Sequence, residues 1–415
     1  MAQPSLYWVI ALGIAVADAP LPTRAATAEQ SLGQSLFFDT SLSQPGGQAC
    51  GSCHAPSVAF TDPNKSNPTS AGAHPTLFGN RNAPTAMYSA YSPAFQFNPA
   101  IQDYNGGQFL DGRAATLEDQ AKAPFLNPIE MANPDKASVI QKLRDSPNAT
   151  AFLSVYGPNA LNDVDQAYTS LVQALAAYER SPALSPFTSK YDAYLAGTSL
   201  LTNQEQHGLR LFEDPTKGNC AACHASQPAA DGTPPLFTDF TYDNIGVPKN
   251  PANGSYSQTG SAVIDLGLGQ TTGDPADDGR FKVGTLRNIA ITGFYTHNGW
   301  FDNLVQVVDF YNTRDVKPAC VSAFISAADA ERLGCWPAAE VPATVNHDEL
   351  GDLGLTAQDV DDIVAFLGTL TDGFTADQFA ALEPGTLTLM LTGLPVLALL
   401  RRRRAPSKPI SARQR

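Results

Sequence analysis

Two five-residue motifs contain the residues of this sequence that are most able to do chemistry. Each has two cysteines separated by two residues and followed at once by a histidine: Cys50-Gly51-Ser52-Cys53-His54 and Cys220-Ala221-Ala222-Cys223-His224. This is the spacing of c-type haem attachment, in which the thiols bond to the haem vinyl groups and the histidine binds the iron. A single motif of this kind could instead be half of a zinc or redox site. Two copies in a chain with six cysteines predict two covalently bound haem c groups.

The second axial ligand of each haem iron decides whether that haem carries electrons or reacts with peroxide. Beyond the initiator, the methionines are Met87, Met131 and Met390, and Met390 lies near the C-terminus. The second half of the chain therefore has no methionine of its own for its haem. The histidines outside the two motifs are His74, His207, His297 and His347.

A repeated pattern around the motifs indicates two related halves. Residues 33–39 precede the first motif and residues 208–214 precede the second, with Gly, Leu, Phe and Asp in register. A Phe-Thr-Asp sequence follows each motif, beginning at Phe60 and at Phe237. Such self-similarity predicts two cytochrome c-like haem domains related by an internal repeat.

Apolar residues at helical spacing predict helices at residues 168–178 and 360–370, and helical spacing also precedes each motif. No long stretch alternates apolar and polar residues as a β-strand would, so we expect a mainly α, loop-rich fold. The proline-containing stretch at residues 181–199 is the expected boundary between the halves. The predicted organisation is a signal peptide at 1–28, haem domains at 29–185 and 186–380, and a tail at 381–415.

The composition is that of a loop-rich globular protein of 415 residues, with 32 glycines and 32 prolines. Seven of the 26 basic residues lie in the last fifteen positions, so the net charge of −14 becomes −21 for the rest of the chain. So negative a charge argues against a nucleic-acid partner, because proteins that bind nucleic acids need basic surfaces.

Both ends of the chain have the pattern of processing segments. The apolar run at residues 6–16 is followed by small residues and predicts a signal peptide, although no Lys or Arg precedes it. At the other end, Glu383-Pro384-Gly385 precedes an apolar stretch at 387–400 and four arginines. That order resembles a bacterial PEP-CTERM sorting tail, and a tail anchor or a peripheral basic tail is the alternative. We expect an exported protein, periplasmic or at the cell surface, that meets a membrane only through this tail.

The two remaining cysteines, Cys320 and Cys335, lie outside both motifs and enclose a fourteen-residue loop. Exported proteins keep disulfide bonds, so we expect a structural disulfide between them. In the chain-entropy model, closing a loop of this size contributes about 3 kcal/mol.

From Leu32 to Leu370 the sequence resembles the bacterial di-haem cytochrome c peroxidase and MauG superfamily. Besides the two motifs, the matching segments are Arg81-Asn82-Ala83-Pro84-Thr85, Asp111-Gly112-Arg113-Ala114, Asn127-Pro128-Ile129-Glu130-Met131, Thr285-Leu286-Arg287-Asn288, Tyr295-Thr296-His297-Asn298-Gly299 and Phe310-Tyr311-Asn312-Thr313-Arg314. The resemblance implies that the N-terminal haem reacts with hydrogen peroxide and that the C-terminal haem relays electrons from a small donor protein, such as a cytochrome c or a cupredoxin.

The same resemblance assigns roles at the first haem. Glu130 matches the family's catalytic carboxylate and Gln120 its companion; such a carboxylate transfers the proton that O–O heterolysis requires. His74 stands eight residues before Asn82, where classical peroxidases have a removable distal histidine. The alternative for His74 is a loop residue that never reaches iron, because MauG-like members lack this ligand.

At the second haem the resemblance implies Tyr311 as an iron ligand, since MauG-like proteins have tyrosine where classical peroxidases have methionine. A phenolate would favour ferric iron, and a core tyrosine is the alternative. His297 is expected to form hydrogen bonds near this haem. Asn82 through its side chain, with the carbonyls of Thr292 and Phe294, matches the ligands of a calcium ion between the haems.

One position departs from the family pattern. Leu110 stands where the family usually has the tryptophan that lies between the haems, and leucine cannot be oxidised. Electron sharing would then need Tyr104, Phe109 or another aromatic residue. The predicted function is a di-haem peroxidase that reduces hydrogen peroxide to water. The alternatives are a MauG-like oxidase that modifies a protein or small organic substrate, and a non-enzymatic di-haem electron carrier, in which Glu130 and Gln120 would have no purpose.

Overall fold

The computed structural model describes residues 25–375, and helices connected by long loops dominate this part of the chain. The α-helices, in chain order, are α1 (Ala28–Phe37), α2 (Cys50–Cys53), α3 (Leu117–Leu126), α4 (Lys136–Asp145), α5 (Ala149–Tyr156), α6 (Val164–Glu179), α7 (Lys190–Leu195), α8 (Asn203–Glu213), α9 (Tyr256–Thr259), α10 (Leu268–Thr272), α11 (Ile289–Thr292), α12 (Leu304–Thr313), α13 (Ala327–Leu333) and α14 (Ala357–Gly368).

The remaining regular structure is short. Single turns of 3-10 helix occur at Thr40–Leu42, Pro56–Val58, Ser89–Tyr91, Cys220–Ala222, Pro275–Asp277 and Pro342–Thr344. Two antiparallel ribbons pair β1 (Gln96–Asn98) with β2 (Asp103–Asn105), and β3 (Tyr242–Asp243) with β4 (Phe281–Lys282). The expected mainly helical, loop-rich fold is confirmed.

Helices α1 and α6 form the centre of a first hydrophobic core. The α6 helix begins after Asp163, whose side chain accepts a hydrogen bond from the Gln166 amide, and its apolar face buries Leu171 and Leu175. These residues pack in one cluster with Leu36 of α1. The helix predicted at residues 168–178 is confirmed and extends further at its N-terminal end.

Helices α8 and α14 form the centre of a second core. Phe212 of α8 and Phe366 of α14 meet edge to face, with ring centroids 5.2 Å apart. The helix predicted at residues 360–370 is confirmed, beginning three residues earlier and ending two residues earlier. The segment predicted as the boundary contains α7, whose Tyr191 is buried in this second core.

A glycine lies at each of these two helix crossings. A Cβ atom on Gly33 of α1 would lie 1.9 Å from the Ala174 carbonyl oxygen of α6. A Cβ on Gly208 of α8 would likewise lie 1.9 Å from the Asp362 carbonyl oxygen of α14. The glycine that precedes each motif therefore allows the backbones of two helices to approach closely.

Buried polar contacts connect the two halves. The Arg81 guanidinium, 11% exposed, bonds to Asp111 at 2.7 Å and reaches across to Asp265 at 2.6 Å. The Tyr88 hydroxyl donates to Asp372 at 2.7 Å, and the Tyr242 hydroxyl donates to the Gly106 carbonyl at 2.6 Å. These contacts hold the two cores against each other.

A disulfide bond joins Cys320 to Cys335, with the Cα atoms 5.0 Å apart. No helix within residues 25–375 is long and apolar enough to cross a membrane. The predicted signal peptide and the PEP-CTERM-like tail lie almost wholly outside the described residues.

Replacing Gly208 by Ala should lower the free energy of unfolding by about 1–3 kcal/mol, because the new methyl group overlaps the α14 backbone. Gly368→Ala is the matched control, since a Cβ at that position of α14 meets no atom within 4 Å. Denaturant unfolding of the haem-loaded protein, followed by circular dichroism, measures both. Equal stability of the two variants would show that the α8–α14 crossing does not need a glycine.

Candidate active site

A first cavity of about 220 Å³ is lined by the first CxxCH motif. Cys50 and Cys53 lie at the two ends of the short helix α2, and His54 follows it. Gln120, on helix α3, and Glu130, in the loop after it, line the same cavity. The structure thus brings together five of the residues that the sequence predicts for the first haem.

The imidazole of His54 is oriented by a backbone carbonyl. Its Nδ1 lies 2.9 Å from the Phe60 oxygen, so Nδ1 carries the proton and donates, while Nε2 is left to bind a metal. Phe60 has a left-handed backbone, with φ 56°. Burial lowers the pKa of His54, which keeps the ring neutral as an iron ligand requires.

A second cavity, of about 360 Å³, repeats this arrangement. Cys220, Cys223 and His224 line it, and His224 Nδ1 lies 2.8 Å from the Phe237 oxygen. Phe237 also has a left-handed backbone, with φ 52°. The Phe-Thr-Asp sequences that follow the two motifs therefore supply the carbonyls that orient the two histidines, a role that the sequence pattern alone did not reveal.

The surroundings of the cysteines suit covalent haem attachment better than a zinc site. A structural zinc site needs four ligands. Within residues 25–375, the one cluster of three acidic, histidine or cysteine ligand atoms contains Cys223, Asp243 and Glu349, and it omits Cys220. Burial also raises the pKa of Cys50 to about 12, so this thiol is not a ready thiolate. The residues present fit haem c.

Glu130 is partly buried at the wall of the first cavity. Desolvation raises the pKa of its carboxyl group, while the Arg113 charge and a hydrogen bond with Asn127 act in the opposite direction. A carboxyl group whose pKa is raised toward neutrality can both accept and return a proton. Gln120 is a neutral hydrogen-bonding group on the same cavity wall.

The two predicted distal ligands differ in position. Tyr311, on α12, lines the second cavity together with His224, and desolvation raises the pKa of its phenol. His74 is exposed in a loop and is not among the residues that line the first cavity. His297 lines the second cavity, where its ring stacks on Phe281 at a centroid distance of 3.7 Å; its Nε2 is buried without a hydrogen-bond partner.

The wall common to both cavities includes two stretches of chain, residues 82–85 and residues 108–110. Phe109 and Leu110 line both of them. The Arg113 guanidinium lies 3.6 Å from the centre of the Phe109 ring. Tyr104 lines neither cavity and stacks on Phe95 instead. Of the aromatic residues considered as substitutes for the missing tryptophan, Phe109 is the one in the wall.

Two ionisable residues in the cavities, one buried and one partly buried, were not predicted. Glu179 of α6 lines the first cavity, and desolvation raises its pKa to about 8. Its position on the same helical face as Leu171 and Leu175 could have indicated burial. Lys282 lines the second cavity and donates to the Gly107 carbonyl at 2.6 Å; desolvation lowers its pKa to about 8.

The predicted calcium ligands come together where the halves meet, but they already form hydrogen bonds with other groups of the protein. The Asn82 amide nitrogen donates to the Phe294 carbonyl at 2.7 Å. The Thr292 carbonyl accepts a hydrogen bond from Lys65 Nζ at 3.0 Å. These contacts do not fit a calcium ion, which needs six to eight free oxygen ligands.

Comparison with known proteins identifies the family of this chain. Residues 27–199 match the family model described as di-haem cytochrome c peroxidase. The methylamine utilization protein MauG of Paracoccus denitrificans is 40% identical over 366 residues, which cover 84% of this chain and 92% of that protein. The chain therefore belongs to the di-haem cytochrome c peroxidase and MauG family of haem oxidoreductases, and this family implies two haem c groups.

Two further relatives are named as peroxidases. The cytochrome c551 peroxidase of Nitrosomonas europaea is 33% identical over 308 residues, covering 72% of this chain and 78% of that protein. The crystal structure of the diheme peroxidase BthA from Burkholderia thailandensis is 34% identical and superposes with a TM-score of 0.73 over 85% of this chain and 87% of that one. The fold and the assignment to peroxidase-like oxidoreductases are confirmed.

We expect the haems to be lost one at a time. Replacing Cys50 and Cys53 by Ala should leave one covalent haem, bound at the second motif, and the corresponding change at Cys220 and Cys223 should leave the other. Mass spectrometry of protein matured by a c-type assembly system measures this. Replacing Cys320 and Cys335 by Ser is the control and should leave two haems. Retention of both haems in either motif variant would contradict the attachment sites.

Proposed function

We propose that the protein reduces hydrogen peroxide to water in the first cavity, with electrons that enter through the second. The observation that carries the proposal is that Glu130 and Gln120 line the same cavity as His54. Haem c bound there would supply the iron at which the O–O bond is cleaved. The chain's own residues would supply the proton transfers and the orientation of the peroxide.

Glu130 is the proton carrier in this proposal. Cleaving the O–O bond needs a proton to leave one oxygen and arrive on the other, which departs as water. The Glu130 carboxylate accepts the first proton and returns it. Gln120, on helix α3, offers both a donor and an acceptor and orients the peroxide by hydrogen bonds. The overall reaction consumes two further protons and two electrons, and it releases a second water.

Electrons would come from a small donor protein, such as a cytochrome c or a cupredoxin, to the haem held by His224. They would then cross the wall that contains Phe109 and Leu110. Neither side chain is readily oxidised, and the Arg113 cation over the Phe109 ring makes removal of an electron from it harder still. Transfer by tunnelling through this wall is therefore favoured over a radical on an aromatic residue.

A MauG-like oxidase is the second candidate, and specific observations favour it. Tyr311 lines the second cavity, whereas exposed His74 does not reach the first. These positions fit the MauG-like ligand pattern better than the classical one. In that case the oxidising equivalents from peroxide would act on a protein or small organic substrate. A simple di-haem carrier is disfavoured, because it leaves the Glu130 and Gln120 pair without a role.

We also infer that the two halves are copies of one haem domain, divided near residue 185. The histidine-to-phenylalanine contact and the glycine at the helix crossing each occur once in each half. Export to the periplasm or cell surface, with the C-terminal segment as a PEP-CTERM-like sorting tail, stays a prediction. Iron ligation by His74 stays a prediction too, and no step proposed here uses it or a calcium ion at Asn82, Thr292 and Phe294.

Replacing Glu130 by Gln should lower peroxide turnover by about 10² or more, because the amide keeps the shape but cannot carry the proton. Covalent haem content should stay at two. Steady-state assays with a reduced small cytochrome c measure the turnover. Glu118→Gln is the matched control: it changes a carboxylate that pairs with Arg180 at the surface, so its turnover should be unaffected.

The pH profile gives a second signature of Glu130. Its carboxylate must be ionised to accept the first proton, and burial raises its pKa. Turnover of the native protein should therefore fall, as the pH is lowered, at a higher pH than an ordinary glutamate would give. Glu130→Gln should lose this acidic limb. A variant that turns over normally with an unchanged profile would reject the assignment.

Tyr311→Met should raise the midpoint potential of the second haem, because a thioether stabilises ferrous iron whereas a phenolate stabilises ferric iron. Tyr311→Phe should instead open that site to small external ligands. Spectroscopic redox titration measures the first effect, and cyanide binding measures the second. Potentials and spectra that do not change in either variant would show that Tyr311 is only a residue of the second core.

A further inference from the structure

A lysine ammonium contacts one of the carbonyls that the family resemblance assigns to a calcium ion. Lys65 belongs to the first half, and its side chain crosses to the second half, where Nζ donates to the Thr292 carbonyl at 3.0 Å. The Thr292 carbonyl is the last one of helix α11. Helix-terminal carbonyls have no partner in their own helix, so an added cation is well placed there.

The loop that carries Lys65 is held by its own side chains. Asp62 accepts a hydrogen bond from the Asn64 amide at 2.7 Å, and Asn64 accepts one from the Ser66 amide at 2.9 Å. Such turns fix the path of the loop on both sides of Lys65. The Thr61 hydroxyl gives its one proton to the Val58 carbonyl at 2.7 Å. This segment therefore delivers one donor, the Lys65 ammonium, to an oxygen of the other half.

The opposite side of the contact is shaped to admit the ammonium. Gly293 follows Thr292 with φ 114°, a conformation that favours glycine. A Cβ atom at this position would lie 2.6 Å from Lys65 Nζ. Any larger residue would therefore displace the ammonium from the carbonyl, so the glycine makes room for the lysine head group.

The remaining donors do not favour a divalent ion. The second predicted carbonyl, that of Phe294, accepts a hydrogen bond from the side-chain amide of Asn82. The backbone amide of Asn82 donates a separate hydrogen bond to the His297 carbonyl at 2.8 Å. Within residues 25–375, no cluster of three acidic, cysteine or histidine ligand atoms includes a residue of this contact. A calcium ion here would meet one ammonium and no clustered carboxylates, which is electrostatically unfavourable.

We propose that the Lys65 ammonium is the resident cation of this contact and takes the place of calcium between the halves. It supplies a single positive charge and a direct hydrogen bond where a metal ion would supply two charges and coordination bonds. This inference does not rest on the proposed peroxidase reaction. Its test uses metal content and thermal unfolding rather than turnover, so the two proposals can fail separately.

The test compares the full-length, haem-loaded protein with Lys65→Gln, Lys65→Arg and the surface control Lys136→Gln, which breaks a distant pair with Asp165. Calcium is measured by mass spectrometry after treatment with EGTA and again after equilibration with millimolar calcium chloride. We expect far less than one calcium per native chain in both conditions. Without calcium, Lys65→Gln should unfold at a lower temperature, whereas Lys65→Arg and Lys136→Gln should behave as the native protein.

Two results would overturn the proposal. One is the finding that the native protein contains, or takes up, about one calcium per chain and that the Asn82→Ala variant does not. The ion would then be bound at this contact. The other is a calcium-free native protein whose Lys65→Gln variant has the native unfolding temperature, because Lys65 would then be only a surface side chain near a helix end.

Discussion

The orientation of the two motif histidines is the constraint on which the rest of the site depends. Each imidazole is held by one hydrogen bond from Nδ1 to a phenylalanine carbonyl, at 2.9 Å for His54 and 2.8 Å for His224. Phe60 and Phe237, whose carbonyls accept these bonds, both adopt left-handed backbones, which cost about 1 kcal/mol or more each. The same bond leaves Nε2 free to bind iron, so the local strain sets the metal ligand in place.

The two cavities share this design but differ in what surrounds it. The first contains a carboxyl group with a raised pKa, Glu130, beside the neutral Gln120, as proton transfer to peroxide requires. The second contains the phenol of Tyr311 and the partly buried Lys282, which would influence a potential more than a proton transfer. The two cavities thus provide two chemically distinct environments, separated by the wall that contains Phe109 and Leu110.

Much of this arrangement follows from local sequence, and the rest depends on long-range contacts. The helices α6 and α14 and the thiols at Cys50 and Cys220 were predictable, because periodicity and motif spacing are properties of a few consecutive residues. The position of His74 outside the cavity and the reach of Lys65 to Thr292 were not, since both depend on how a loop packs against distant parts of the chain. The desolvation of Glu179 and Lys282 is also set by tertiary packing.

The central claim is that one haem reacts with peroxide while the other relays electrons. EPR spectroscopy of the ferric and half-reduced protein, recorded with and without hydrogen peroxide, tests it most directly because it reports the ligation of both irons. The account predicts two distinct haem signals, of which one is high-spin in at least one of these states and disappears when peroxide is added. Two low-spin, six-coordinate signals that peroxide leaves unchanged in every state would contradict it and would identify a carrier of electrons instead.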